Sequence, residues 1–164
     1  MNNNKTVNIL FCGTGGQGVL KASEICGIAA MKAGYNVKKS EIHGMAQRGG
    51  SVESHLRFGK KVLSPLIKPN DADFLVSFDT GEALRMKAFL KSTGLDFSQF
   101  LGEVKNLKHP IYINTYFLGI LASQLQIDKN LWIEALLSVL TRDQDGNRKV
   151  FEEGFIFGKN MTSK

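Results

Sequence analysis

Six consecutive residues, Gly13-Thr14-Gly15-Gly16-Gln17-Gly18, satisfy the spacing G-x-G-x-x-G. Glycines so spaced permit a tight turn and let main-chain N–H groups approach a phosphate, provided a strand enters the turn and a helix leaves it. The helix N-terminus then adds unpaired donors and a partial positive charge. A dinucleotide site also wants an acidic residue about 20 residues on, at the end of the next strand. Glu41 stands there, 23 positions after Gly18. Lys38 and Lys39 just before it count against that use, and the same glycines also suit close strand–helix packing alone.

A second segment follows, His43-Gly44-Met45-Ala46-Gln47-Arg48-Gly49-Gly50. It gathers an imidazole, an amide, a guanidinium and two adjacent glycines. Arg48 beside Gly49 and Gly50 makes a good anion clamp, because the guanidinium fork binds phosphate oxygens bidentately while neighbouring N–H groups line the approach. His43 and His55 lack the spaced Cys, Asp or His partners of a metal site. Each histidine by itself reads as a structural hydrogen-bonding residue. Arg57, two residues beyond His55, falls on the same face of a strand.

These residues need a frame. Thr6 to Cys12 is apolar and rich in β-branched residues, as in a buried parallel strand. From Gly18, apolar residues recur at helical spacing until Gly34, a C′ glycine. Asn36 to Ile42 reads as a second strand, completing a β-α-β unit. Ser51 to Phe58 alternates like a half-exposed strand, and Gly59-Lys60 suits a tight turn. Ala72 to Asp79 is a further strand, followed by a helix over Gly81 to Leu90. The stretch from Ser92 to Pro110 reads as a connection with at most one short helix. Helices follow over Tyr116–Leu125, Leu131–Leu140 and Arg148–Phe157, with Gly146 separating the last two. The alternation predicts an α/β fold: a single Rossmann-like three-layer domain with a mainly parallel sheet and a helical C-terminal third.

The chain has 164 residues and a formal net charge of +6. That length suits one domain. The charge suits an anionic cofactor or acidic partner as well as a solvated surface, and no basic helix or aromatic–basic alternation argues for nucleic acid. No apolar run is long enough to span a membrane, and no signal-peptide pattern precedes the first strand. A cytoplasmic location is therefore expected. Cys12 and Cys26 read as buried small hydrophobes. Two cysteines are too few for an iron–sulfur cluster and lack redox or zinc spacing.

Taken jointly, Gly13-Thr14-Gly15-Gly16-Gln17-Gly18-Val19-Leu20, Ser40 to Val52, and Ser54-His55-Leu56-Arg57-Phe58-Gly59 carry a family resemblance. Ser64-Pro65-Leu66-Ile67 and the strand leading to Glu82-Ala83-Leu84-Arg85 continue it. The chain resembles the gamma-type subunits of 2-oxoacid:ferredoxin oxidoreductases, most of all the beta subunit of indolepyruvate:ferredoxin oxidoreductase. The resemblance covers about residues 7 to 90. Later segments match less well, and the chain is shorter than its relatives between about residues 91 and 110.

The resemblance implies a fold like domain III of pyruvate:ferredoxin oxidoreductase. It also implies oxidative decarboxylation of a 2-oxoacid, electrons passing to ferredoxin and the acyl group to coenzyme A. Thiamine diphosphate and iron–sulfur clusters would reside on an alpha-type partner subunit, and coenzyme A would be a co-substrate. The spacing of the first loop makes Gly13, Gly15, Gly16, Gln17 and Gly18 candidate ligand-binding residues, and the resemblance adds His43, Gln47, Arg48, Gly49, Gly50 and Ser51 of the second segment. Arg48 would be the main anion contact, with no catalytic residue and no metal ligand on this chain. A stand-alone NAD- or flavin-binding oxidoreductase and a non-catalytic assembly module remain open alternatives, as does homodimerisation.

Overall fold

The computed structural model describes residues 5–44, 49–104 and 112–161. Its centre is a five-stranded sheet in the order β2-β3-β1-β4-β5. The strands are β1 (Val7–Thr14), β2 (Asn36–His43), β3 (Ser51–Gly59), β4 (Ala72–Ser77) and β5 (Leu90–Asp96). β1 pairs parallel to β4, and β4 parallel to β5, whereas β3 runs antiparallel to both β1 and β2. Four strands therefore point the same way and β3 alone opposes them.

This order corrects one expectation. β1 and β2 are joined by helix α1 (Val19–Lys32) as foreseen, but β3 is inserted between them. The hydrophobic period that identifies a strand says nothing about which neighbour it will choose. β1, central and covered on both faces, is buried along nearly its whole length, which accounts for its unbroken apolar sequence.

One face of the sheet carries Val7, Ile9 and Phe11 of β1, Leu56 and Phe58 of β3, and Phe74 and Val76 of β4. Against it pack α1 and three C-terminal helices, α4 (Ile113–Gln124), α5 (Lys129–Val139) and α6 (Gln144–Met161). α1 ends as expected at Gly34, which has φ 85°. The N–H of Gly34 donates to Met31 O and that of Tyr35 to Ala30 O, the paired bonds of a Schellman cap. Gly146 does not separate two helices: α6 begins at Gln144 and includes it.

The opposite face is covered thinly. Its core is Leu10, Cys12, Ile67, Ala72, Leu75, Met86 and Leu90. The covering elements are helix α2 (Thr80–Met86), a 3-10 turn at Lys87–Phe89 and the irregular segment 60–70. The stretch from Ser92 to Pro110, read as a connection with at most one short helix, does carry the short α3 (Leu101–Val104). It begins inside β5, however, and passes through a 3-10 turn at Phe97–Phe100, and its last residues lie outside the described ones. The sequence of β5, Leu90-Lys91-Ser92-Thr93-Gly94-Leu95-Asp96, is polar and interrupted by glycine. An edge strand tolerates such a sequence, but the sequence carries no alternation to reveal it.

Candidate functional site

Both glycine loops open at the same edge of the sheet. β1 delivers Gly13 and Thr14 at its C-terminal end, and the antiparallel β3 begins there with Ser51, which pairs with Thr14. β4 ends beside them at Ser77. The crevice beyond the carboxyl ends of parallel strands is where α/β sheets bind ligands.

The loops are joined through their main chains. The Gly15 N–H donates to Gly50 O at 2.9 Å. Gly16 (φ 96°) and Gly49 (φ 68°) occupy the left-handed region, and a side chain at either would project into open space. Their peptide groups are accordingly accessible. Gly18 (φ 79°) is the N-cap of α1 and provides no side-chain cap, and the helix has no acidic residue in its first turn. No acidic side chain of the first turn therefore offsets the partial positive charge at this end of α1.

Gln17 does something else. Its Oε1 accepts from Thr14 N at 2.7 Å, and its Nε2 donates to Phe78 O at 3.1 Å. The amide thus ties the end of β1 to the end of β4 and shapes the loop from behind. A Cβ at Gly13 would lie 2.6 Å from Gln17 Oε1 and 2.9 Å from Val19 Cγ2, so the first glycine makes room for this strut. Ser51 is similarly engaged: its hydroxyl donates to Glu82 Oε2 at 2.7 Å and accepts from Arg85 Nη2 at 2.5 Å. Arg85 also binds Glu53 Oε2 at 3.1 Å and Glu82 Oε2 at 2.7 Å. The hydrogen bonds that Arg85 donates to Glu82 raise the pKa of the guanidinium further. This network, together with Asp79 capping α2 through Glu82 N, fixes the base of the second loop.

Of the residues expected in the site, Gly15, Gly16, Gly18, Gly49, Gly50 and Ser51 gather at this edge. Gln47 and Arg48 lie outside the described residues. His43 ends β2 in register with Val52, which in turn pairs with Gly13. That places it two strand spacings, roughly 10 Å, from the first loop. Its exposed ring lies 3.8 Å from Glu41. His55 faces the other side of the sheet, with its Nδ1 accepting from Ile67 N at 3.1 Å, so the two histidines do not share a site. Arg57 is on the His55 face, where it donates to Asn8 Oδ1 and to the carbonyls of Ser64 and Leu66.

The insertion of β3 also moves Glu41 away from β1. It pairs with Lys39 at 2.7 Å and does not reach the first loop as a ribose-binding carboxylate would. The Ser51–Glu82–Arg85–Glu53 network and the strut role of Gln17 were not foreseen. Glu82 and Arg85 do stand at the helical i, i+3 spacing, and Ser51 and Glu53 share a strand face. Only the fold brings the two pairs together.

Cys12 and Cys26 are both buried and unbridged. Burial pushes the Cys12 thiol up to about 12, against a hydrogen bond from Ser77 that lowers it, and raises that of Cys26 as well. Burial thus disfavours the thiolate at both. Among the described residues no cluster of three or more His, Cys, Asp or Glu could hold a metal ion, and no helix is long and apolar enough to cross a membrane.

A family model described as pyruvate ferredoxin/flavodoxin oxidoreductase matches residues 8–95, more than half of the chain. The indolepyruvate oxidoreductase subunit IorB of Pyrococcus horikoshii is 47% identical over 94 residues, covering 57% of this chain and 46% of that protein. The chain thus spans about half the length of the curated relatives it matches at that level. The 2-oxoglutarate synthase subunit KorC of Archaeoglobus fulgidus is 25% identical over 96% of this chain and 91% of its own. Among solved structures, the gamma subunit of the keto/oxoacid ferredoxin oxidoreductase from Geobacter sulfurreducens superposes with a TM-score of 0.75 at 25% identity. That match covers 93% of this chain and 98% of the other. The matched region runs from β1 into β5, takes in both glycine loops and the strands that join them, and shows that the chain belongs to the pyruvate ferredoxin/flavodoxin oxidoreductase family.

Proposed function

We propose that this chain is the non-thiamine-bearing subunit of a 2-oxoacid:ferredoxin oxidoreductase of the indolepyruvate or pyruvate type. It is a single domain, shortened between about residues 91 and 110 relative to its family. Its partner is an alpha-type subunit that carries thiamine diphosphate and the iron–sulfur clusters and hands electrons to ferredoxin. The names of its relatives support this reading. So does its donor set: two buried thiols on opposite faces of the sheet do not converge on one cluster. A cytoplasmic complex follows from that role.

The observation that carries the reading is the Gly15–Gly50 main-chain bond, which merges the two glycine loops into one edge beside the N-terminus of α1, where Gly18 provides no side-chain cap. Such an edge suits an anionic ligand with several phosphate oxygens, and coenzyme A is the phosphate-bearing co-substrate of this reaction class. The accessible amides of Gly16 and Gly49 and the first turn of α1 would contact it. Arg48 would supply the charge, with Gln47 and His43 at the mouth, while Gln17 and Ser51 hold the loops from behind.

The chain co-produced with its alpha-type subunit should reduce ferredoxin in a 2-oxoacid- and coenzyme A-dependent manner. In that complex Arg48→Ala should raise the KM for coenzyme A about 10- to 100-fold, the scale of a lost charge-assisted hydrogen bond. The KM for the 2-oxoacid should change much less. Equal changes in both would remove Arg48 from the phosphate site. Tight NAD or flavin binding by the isolated chain would overturn the subunit reading.

A further inference from the structure

The two faces of the sheet are finished very differently. Four helices cover one face, and the large apolar side chains left exposed on that layer are Met31 and Ile156. On the other side lie α2, seven residues long, and the segment 60–70. That side carries the other large exposed apolar residues among those described: Leu63 (83% exposed), Leu66 (53%), Leu84 (79%) and Ile42 (46%). Leu63 and Leu66 lie in the segment, Leu84 projects from α2, and Ile42 stands on β2 opposite Glu53, on the same face.

The segment is held in place rather than loosely draped. Val62 and Ile67 are buried beneath it. Its main chain is fastened by Val62 N to Asn36 Oδ1 at 3.3 Å and Ile67 N to His55 Nδ1 at 3.1 Å. Arg57 Nη1 donates to Ser64 O at 3.0 Å and Leu66 O at 3.2 Å. Leu63 and Leu66 are thereby kept from folding inward, and the ordering cost of presenting them has already been met within the domain.

Lysines without an ion pair stand out among the described charges of this layer. Lys60, Lys61 and Lys68 of the segment are exposed, as is Lys38, which faces the same side through its pairing with Arg57. None of the four forms an ion pair among the described residues. The carboxylates on this side have partners within the domain: Glu53 and Glu82 share Arg85, Asp71 and Asp73 lie beside Lys91, and Asp79 caps α2.

We infer that the layer formed by segment 60–70 and α2 is the surface on which the alpha-type subunit docks, through an apolar patch rimmed by carboxylates that seats Leu63, Leu66 and Leu84. The inference rests on the proposed function and adds the face to it. The partner completes the layer that this domain leaves thin, and the lysines steer its approach.

The test uses the full chain and its alpha-type subunit, with affinity measured at two salt concentrations. Leu63→Asp combined with Leu66→Asp should weaken binding at least tenfold. Lys60→Glu with Lys61→Glu and Lys68→Glu should weaken it similarly and flatten its salt dependence. Met31→Asp with Ile156→Asp, on the helical layer, should bind as wild type. All the substituted side chains are exposed, and urea unfolding confirms that each variant folds. Wild-type affinity in the leucine variant, or loss in the helical-layer variant instead, overturns the docking face while leaving the proposed function intact. Self-association of the chain that the leucine substitutions abolish, with the alpha-type subunit still bound, overturns it too, because a second copy is then the occupant. Failure of the wild-type chain to bind the alpha-type subunit overturns both.

Discussion

Gly18 shows how closely conformation and packing are joined at a single position. Its φ of 79° is costly for any residue with a Cβ, and a Cβ there would lie 2.4 Å from Asn114 Nδ2. Gly18→Ala should destabilise the protein by about 1–3 kcal/mol in urea unfolding, from left-handed strain and overpacking together. Adding Asn114→Ala should recover part of that loss, since it relieves the clash but not the strain. A fully additive pair would show that Asn114 yields without cost. The need for glycine here was legible from the G-x-G-x-x-G spacing. The roles of its neighbours were not: Gln17 has the size and polarity of a ligand-binding residue, yet its amide is consumed by Thr14 N and Phe78 O. No local pattern announces a side chain that reaches a carbonyl sixty-one residues away.

At the scale of elements, α4 and α6 approach most closely. A Cβ on Gly154 would come within 2.1 Å of Tyr116 O, and one on Gly158 within 2.1 Å of Ser123 Oγ. The obstacle at Gly154 is main chain, which cannot rotate away. Gly154→Ala should therefore cost about 1–3 kcal/mol even though alanine is the better helix former. Gly102→Ala, with nothing within 4 Å, should be neutral or slightly stabilising, and thermal unfolding of the two variants checks the contrast. Helix periodicity was readable for α1, α4, α5 and α6 because each has a buried stripe or is buried all round. β5 was not, because an edge strand with Lys91, Ser92, Thr93 and Gly94 has neither alternation nor apolar continuity. The position of β3 between β1 and β2 was likewise beyond any periodicity argument.

For the whole molecule, segment 60–70 is fastened to the sheet partly through His55. Burial holds the pKa of that imidazole below its ordinary value, opposed by the nearby Glu53. The unfolded chain therefore takes up the proton first as the pH falls. Its contribution to stability is complete above about pH 6.5, the ordinary histidine value, and declines as the pH drops below it. Urea midpoints measured from pH 7.5 downward should fall below pH 6.5, and less steeply in His55→Asn, whose amide oxygen can still accept from Ile67 N. Equal slopes would assign the acid sensitivity to the carboxylates instead.

The bond between Gly15 and Gly50 consists of main-chain atoms at both ends. At position 15 a Cβ would meet its nearest neighbour at 3.5 Å, an ordinary contact, so alanine there leaves the bond untouched. Systematic alanine replacement would pass over this join in silence. Of the genetically encoded residues only proline, which lacks the N–H, removes the donor outright. The stitch that makes one site of two distant stretches of sequence is thus largely hidden from side-chain mutagenesis.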